Sequence, residues 1–315
     1  MEKASLKSYL KIARINHWIK QLFVVPGIVF AFFLAGVDDW KQFAVNVVLG
    51  MLSTSFVASA NYVINEWLDA GFDKFHPTKK NRPIVAENLK VGYILLEYAV
   101  FAVIGLVLAW FAGKYVFAME VWLFVMGILY NVKPVRLKEI PFVDVLSESV
   151  NNAIRLLIGW FIVTGRYLPP ISIIFGYWMG GAFLMAIKRY AEYRMIGDKT
   201  QAALYRKSFK RYTENSLLSS AIFYALLSVF SCGVFMIKYR IELLIAIPFL
   251  CGLFVIYLNL SYKNDSSVQK PEKLYKEKGL MLYLLVFVAI VTALMFIDIP
   301  VLSEWFLGES LLAGK

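Results

Sequence analysis

The chain has little charge, little cysteine and almost no histidine. Only 17% of its 315 residues are Asp, Glu, Lys or Arg and 60% are hydrophobic, against about 25% and 45–50% in a typical soluble domain. That balance excludes a soluble globular fold, and the mean hydropathy of +0.64 agrees. The two cysteines, Cys232 and Cys251, sit in apolar runs without metal-site or redox spacing and read as small core residues. Two histidines, His17 and His76, offer no convincing His–carboxylate pair for general-base chemistry. The amino terminus is a basic amphipathic stretch without a short apolar core and cleavage site, so no removable signal peptide is expected. No linker, low-complexity tract or soluble insertion interrupts the pattern.

What is abundant is apolar sequence in runs long enough to cross a hydrocarbon core of about 30 Å. Such runs occupy 21–37, 42–64, 91–112, 115–131, 145–165, 171–187, 215–237, 241–260 and 279–297. The expected fold class is an all-α integral membrane protein of about nine transmembrane helices, a single polytopic domain over 1–315. Its amphipathic segment 1–20 is expected in the cytoplasm. Its tail, 301–315, carries Trp305, Phe306, Leu311 and Leu312 and is expected at the outer interface, where Trp is enriched.

Basic residues alternate from one side to the other. Segments 1–20, 65–90, 132–141, 188–212 and 261–278 hold 26 of the 33 Lys and Arg; the opposite segments and the carboxyl terminus hold Lys41, Lys114, Arg166, Lys238, Arg240 and Lys315. Because cytoplasmic loops retain Lys and Arg, a multi-pass protein of the inner or plasma membrane is expected, with a cytoplasmic amino terminus and an external carboxyl terminus. The net charge of +11 is then explained by anionic headgroups, and no nucleic-acid partner is expected.

The segment most charged with chemistry is Asn65-Glu66-Trp67-Leu68-Asp69-Ala70-Gly71-Phe72-Asp73, followed by His76-Pro77-Thr78-Lys79-Lys80-Asn81-Arg82-Pro83. On a helix Asn65, Asp69, Asp73 and Glu66 fall at about 0°, 40°, 80° and 100°, so four oxygen-bearing side chains share one face. Such a face can hold Mg²⁺, which takes its remaining ligands from water and substrate phosphates; Lys79 and Arg82 would meet the same phosphates. The plainer reading is a solvated helix end, which its position directly after a long apolar run disfavours. A second span ends similarly, in Lys188-Arg189-Tyr190-Ala191-Glu192, and the two read as halves of one site.

Within the run 145–165 and just before it, Asp144, Glu148, Asn151, Asn152 and Arg155 share an arc of about 100°. Charged groups at membrane depth face a bundle interior or a wet cavity, so the stripe marks either a polar chamber or a structural Glu148–Arg155 pair. Lys133, Arg136 and Lys138 end the preceding span, and Arg14 and Lys20 flank Trp18; each is a phosphate ligand or an ordinary interface anchor. Glu97 has no evident role.

Asn65-Glu66-x-x-Asp69-x-x-x-Asp73 resembles the first aspartate-rich motif of the UbiA-type intramembrane prenyltransferase superfamily, Asn-Asp-x-x-Asp-x-x-x-Asp. The continuation His76-Pro-x-Lys79-x-x-Arg82-Pro83-Ile84 looks most like its decaprenyl-phosphate phosphoribosyltransferase branch. So do Arg14-x-x-x-Trp18-x-Lys20-Gln21 and Lys188-Arg189-Tyr190-Ala191-Glu192, which stands where aromatic prenyltransferases have Asp-x-x-x-Asp. The chain departs from the pattern at Glu66 for Asp, at Gln21 for a usual Asn, and in Val85-Ala86-Glu87-Asn88, which lacks the usual glycine. The polar run 144–152 is also unusual for that branch.

The resemblance implies a UbiA-type bundle with a central polar cavity open to the cytoplasm. It implies Mg²⁺-dependent transfer of 5-phosphoribosyl from phosphoribosyl pyrophosphate to a polyprenyl phosphate, releasing pyrophosphate. Asn65, Glu66, Asp69, Asp73 and Glu192 would hold the metal, and Asp69, Asp73, Lys188 and Glu192 would be catalytic. Lys79, Arg82, Lys188 and Arg189 would bind donor phosphates; Arg14, Lys20, Lys133 and Arg136 would bind the acceptor phosphate; Asp144, Glu148, Asn152 and Arg155 would line the cavity. An aromatic prenyltransferase using prenyl pyrophosphate is the alternative, and a transporter running along the polar stripe is a third. Homo-oligomer formation stays open.

Overall fold

The computed structural model describes residues 2–3, 5–76, 79–263, 266–269 and 271–307. Pro77 and Thr78 of the loop motif, and Leu311 and Leu312 of the tail, lie outside the described residues. The chain is helical nearly throughout. Helix α1 (Leu6–Ile12) leads through a 3-10 stretch (Ile15–Val24) into α2 (Val25–Ala35). Next comes α3 (Trp40–Asp73), started by Asp39, whose carboxylate accepts from the Lys41 and Gln42 amides. The short α4 (Pro83–Ala86) precedes α5 (Val91–Ala112), α6 (Lys114–Asn131) and α7 (Val143–Val163). Helices α8 (Ile171–Ile196), α9 (Lys199–Tyr205), α10 (Glu214–Tyr239), α11 (Ile247–Ser261), α12 (Lys278–Phe296) and α13 (Pro300–Leu307) complete the chain. Two-residue strands, Glu2–Lys3 and Glu87–Asn88, pair in parallel.

Seven stretches among the described residues are long and apolar enough to cross a membrane: Leu6–Ala35, α3, α5, α8, α10, Ile241–Ser261 and α12. The two other expected spans are helical, as α6 and α7, but are less apolar. Lys114, Glu120 and Asn131 dilute the first, and Asp144, Glu148, Asn151, Asn152 and Arg155 dilute the second. The first span also begins earlier than residue 21. Leu6, Ile15, Ile19 and Leu22 face outward while His17, Gln21 and Val24 are buried, so the amphipathic amino-terminal segment lies along the bundle.

Length explains how the fold builds a site. Helix α3 has 34 residues, about 51 Å at 1.5 Å per residue, whereas the apolar core is about 30 Å thick; its polar last turns must project beyond that core. Helix α8 does the same with residues 188–196. Helix α7 runs between them, packed on α2, α3, α6 and α8. Its contact with α2 is backbone to backbone: a Cβ on Gly27 would stand 1.9 Å from the Leu156 carbonyl, and one on Gly159 2.0 Å from that of Val24. Glycine at both positions permits this approach. On α6, Gly127 leaves room for the Asn61 side chain, which donates to the Leu123 carbonyl at 2.9 Å.

The basic segments gather at one end of this bundle. Arg14 meets Glu66, Lys79 meets Glu192, Arg136 meets Asp69, Arg206 meets Asp144, and Gln269 donates to the Ala191 carbonyl. At the other end, Arg166 pairs with Asp38 and Arg240 with Asp298.

Candidate active site

The last turns of α3 present Asn65, Glu66, Asp69 and Asp73 along one face, and each meets a polar partner brought from elsewhere in the chain. Arg14 donates through Nε to Glu66 Oε1 at 2.6 Å. Arg136 Nη2 and Lys138 Nζ reach Asp69 Oδ1 at 3.0 and 2.5 Å. Arg82 Nη1 lies 2.5 Å from Asp73 Oδ2 and 3.5 Å from Glu66. Asn65 donates to the Asn131 side-chain carbonyl, which also accepts from Lys138 at 2.8 Å. The carboxyl end of a helix carries partial negative charge, so cations are favoured here by the backbone as well as by the side chains. Burial, opposed by Asp69, brings the Lys138 ammonium down to about 8.

Helix α8 supplies the other half. Glu192 is buried and accepts from Lys79 Nζ at 2.6 Å and from the Tyr205 hydroxyl at 2.9 Å, with His76 Nε2 at 3.4 Å. Burial opposes the charge on Lys79, but Glu192 and Tyr205 outweigh it and leave its pKa raised. Burial likewise lowers the His76 pKa, only partly offset by Glu192. Arg189, fully buried, bonds Glu148 and lies 3.4 Å from Asp144, while Lys188 Nζ is 3.6 Å from Glu148. Buried charges of this kind persist only when paired.

The polar stripe of α7 divides into separate contacts. Asp144 is fully buried beneath Tyr212, Ser208, Arg189 and Arg206. Glu148 faces α8 and the Tyr130 hydroxyl, so the Glu148–Arg155 pair is not formed; Arg155 donates instead to Gln21 at 2.9 Å. Two turns of separation along one helix are too long for the pair when nearer partners exist on α8 and on the 3-10 stretch. Asn152 packs against Gly181 of α8.

Asn65, Glu66, Asp69, Asp73, Lys79, Arg82, Arg136, Lys188, Arg189 and Glu192 are thus drawn to one end of the bundle, as is Arg14. Lys20 lies farther along, over the Tyr62 ring that Arg14 also covers, at 5.7 and 5.5 Å. Lys133 is exposed. Sequence reasoning missed Tyr205 and Arg206, which with Asp69, Asp73, Arg136 and Lys138 line a cleft; the only signal was their place among eight basic residues at 188–212.

Oxygen donors on one helix face suit a hard cation. Among the described residues no group of three Asp, Glu, His or Cys side chains is placed to hold a metal ion. Glu66 Oε2 and Glu192 Oε2, however, are buried carboxylate oxygens without a hydrogen bond, the second with Arg189 Nη1 at 3.8 Å, and such an atom is costly unless something binds it. A cation held here would draw part of its coordination from phosphate or water, as Mg²⁺ usually does.

A multi-pass helical bundle that carries paired acidic and basic helix ends at one face defines a class: a membrane protein with a charged site at the edge of its apolar core. Residues 23–286 match the model of the UbiA prenyltransferase family. The chain belongs to that family. It is 26% identical to a digeranylgeranylglyceryl phosphate synthase of Sulfurisphaera tokodaii, over 89% of this chain and 98% of that one. It is 27% identical to a decaprenyl-phosphate phosphoribosyltransferase of Mycolicibacterium smegmatis, over 68% of this chain and 65% of that one. The fold is similar to that of a UbiA homologue from Archaeoglobus fulgidus bound to GPP and Mg²⁺, with a TM-score of 0.67 and 21% identity over 92% of this chain and all of that one.

Proposed function

We infer that this protein transfers 5-phosphoribosyl from phosphoribosyl pyrophosphate to a polyprenyl phosphate, releasing pyrophosphate, at the α3–α8 site. The observation that carries this reading is the make-up of the α8 half. Helix α8 itself contributes two cations, Lys188 and Arg189, and a single carboxylate, Glu192, which is shared with Lys79; Glu148 and Asp144 of α7 hold the two cations in place. A donor bearing both a 5-phosphate and a pyrophosphate needs more fixed cations than a prenyl pyrophosphate does. The similarity to a decaprenyl-phosphate phosphoribosyltransferase supports the same reading.

In the reaction an acceptor phosphate oxygen forms a bond to the anomeric carbon as the bond from that carbon to pyrophosphate breaks. Positive charge builds on the sugar and negative charge on the leaving group. Lys79, Arg82, Lys188 and Arg189 stabilise that leaving charge from fixed positions. Asn65, Glu66, Asp69, Asp73 and Glu192 would hold Mg²⁺, which supplies further charge neutralisation when bound. Arg136 and Lys138, tied to Asp69, stand ready on the same side. Arg14 and Lys20, stacked on Tyr62, are positioned to meet the acceptor headgroup, whose ionised phosphate needs no general base. The gathering of basic segments at one end supports a cytoplasmic site and amino terminus.

A prenyl transfer from prenyl pyrophosphate is the second reading, favoured by the end-to-end alignment with a digeranylgeranylglyceryl phosphate synthase. One assay separates them. Purified protein in detergent is given labelled phosphoribosyl pyrophosphate with polyprenyl phosphate, and in parallel labelled prenyl pyrophosphate with an aromatic acid or a phosphoglyceride. Label is expected on the acceptor only from the phosphoribosyl donor; prenylation of the acceptor in the second arm alone overturns the first reading.

A further inference from the structure

Asp144 stands in the first turn of α7, where the helix dipole favours a carboxylate. Its two oxygens are taken up on every side. The Tyr212 hydroxyl donates to Oδ1 at 2.6 Å, the Ser208 hydroxyl to Oδ2 at 3.1 Å, and Arg189 Nε and Arg206 Nη1 approach Oδ2 at 3.4 and 3.6 Å. Tyr212 is held in turn, because its oxygen accepts the Phe142 amide at 2.5 Å. Three of the four partners come from the segment 206–212, which follows directly on Tyr205, a partner of Glu192 and Lys79. The fourth, Arg189, holds Glu148 with another guanidinium nitrogen. Asp144 itself is fully buried and does not line the cleft beside Asp69 and Asp73.

We propose that Asp144 is a positioning residue. It ties the segment 206–212 to α7 and fixes Arg189, and through them it sets the place of Tyr205, Arg206 and Arg189 around the pyrophosphate of the donor. This rests on the α3–α8 site being where a pyrophosphate binds, and it holds for either pyrophosphate donor. The opposite effect is expected from charge alone. Asp144 is an anion close to the site, so removing its charge without disturbing anything else would tighten pyrophosphate binding. A positioning role requires that binding weaken.

The test compares wild-type protein with Asp144→Asn, which keeps the size and one acceptor oxygen, and with Tyr212→Phe, which removes the hydroxyl and leaves every charge in place. Binding of inorganic pyrophosphate with Mg²⁺ is measured by calorimetry on the full chain in detergent, together with the donor and acceptor KM and the Tm. Asp144→Asn is expected to weaken pyrophosphate binding and raise the donor KM by about tenfold, with the acceptor KM unchanged, the size of effect typical for a buried polar partner removed. Tyr212→Phe should shift both in the same direction by a smaller factor, about threefold. If Asp144→Asn does not fold, Tyr212→Phe decides. Unchanged or tighter pyrophosphate binding in a folded variant overturns the proposal, as does an equal rise in both KM values. Absence of pyrophosphate binding by wild-type protein would instead overturn the site on which the proposal rests.

Discussion

Lys79 Nζ lies 2.6 Å from Glu192 Oε1, so a lysine just beyond α3 and a glutamate near the end of α8 close one ion pair across 113 residues of sequence. The contact joins the two halves of the site, and the Tyr205 hydroxyl joins both partners. Lys79→Met and Glu192→Gln are each expected to lower kcat/KM at least tenfold. Their double variant should lose less than the sum, because directly contacting residues couple by about 0.5–3 kcal/mol. A double-mutant cycle on kcat/KM measures this; strictly additive losses would mean the pair does not act as a unit.

The acidic face of α3 makes a separate claim, that a divalent cation is needed. Asp69→Ala or Asp73→Ala should reduce turnover by orders of magnitude with the fold retained, since the metal both orients and neutralises a leaving pyrophosphate. Glu66→Asp should be mild, because the carboxylate is shortened and its charge kept. Binding of Mn²⁺ in the presence of pyrophosphate, followed by electron paramagnetic resonance, should weaken in the two alanine variants. Near-normal turnover of either in chelator-treated, metal-free buffer contradicts the assignment.

How far the sequence alone could reach differs between the two halves. Apolar runs and the four-residue spacing of Asn65, Asp69 and Asp73 fix helices and the face of one helix, because these are local properties with a period of 3.6. The partners of that face are not local. Arg14, Arg136 and Lys138 reach α3 from 52 to 69 residues away, and no periodicity encodes such pairings. Asp144 was legible as a charge in a span but not as an anchor, since the residues that saturate it, Ser208 and Tyr212, look like ordinary loop polarity. The Glu148–Arg155 pair fails for the complementary reason: a local pattern proposed it, and nearer partners on α8 and at Gln21 took both groups.

The charge division argues for one orientation, which is open to direct measurement. In a background without Cys232 and Cys251, a cysteine at Lys273 is expected to be shielded from impermeant thiol reagents in intact cells and labelled after permeabilisation. One at Arg166, which is well exposed at the opposite end of the bundle, should react in intact cells. Labelling in the reverse order would put the site on the face without cytosolic sugar phosphates, and the proposed donor would lose its supply.

Lys188 offers a test between the two proposed donors. It sits one helical turn before Glu192, so both side chains leave α8 on the same face, and its Nζ is 3.6 Å from Glu148 Oε1. The motif resemblance implies a carboxylate at this place in aromatic prenyltransferases, as expected where metal ions alone neutralise a pyrophosphate. On the proposed reading, a lysine at this place gives up one metal ligand and offers a direct cation to a donor phosphate. Lys188→Ala should raise the KM for phosphoribosyl pyrophosphate about tenfold and lower turnover, with little effect on the KM of the polyprenyl phosphate. Lys188→Arg should retain part of the affinity, because the charge remains while its geometry changes. If Lys188→Ala instead leaves the donor KM unchanged and raises that of the lipid, the lysine belongs to the acceptor, and the donor phosphates must rest on Lys79, Arg82 and Arg189.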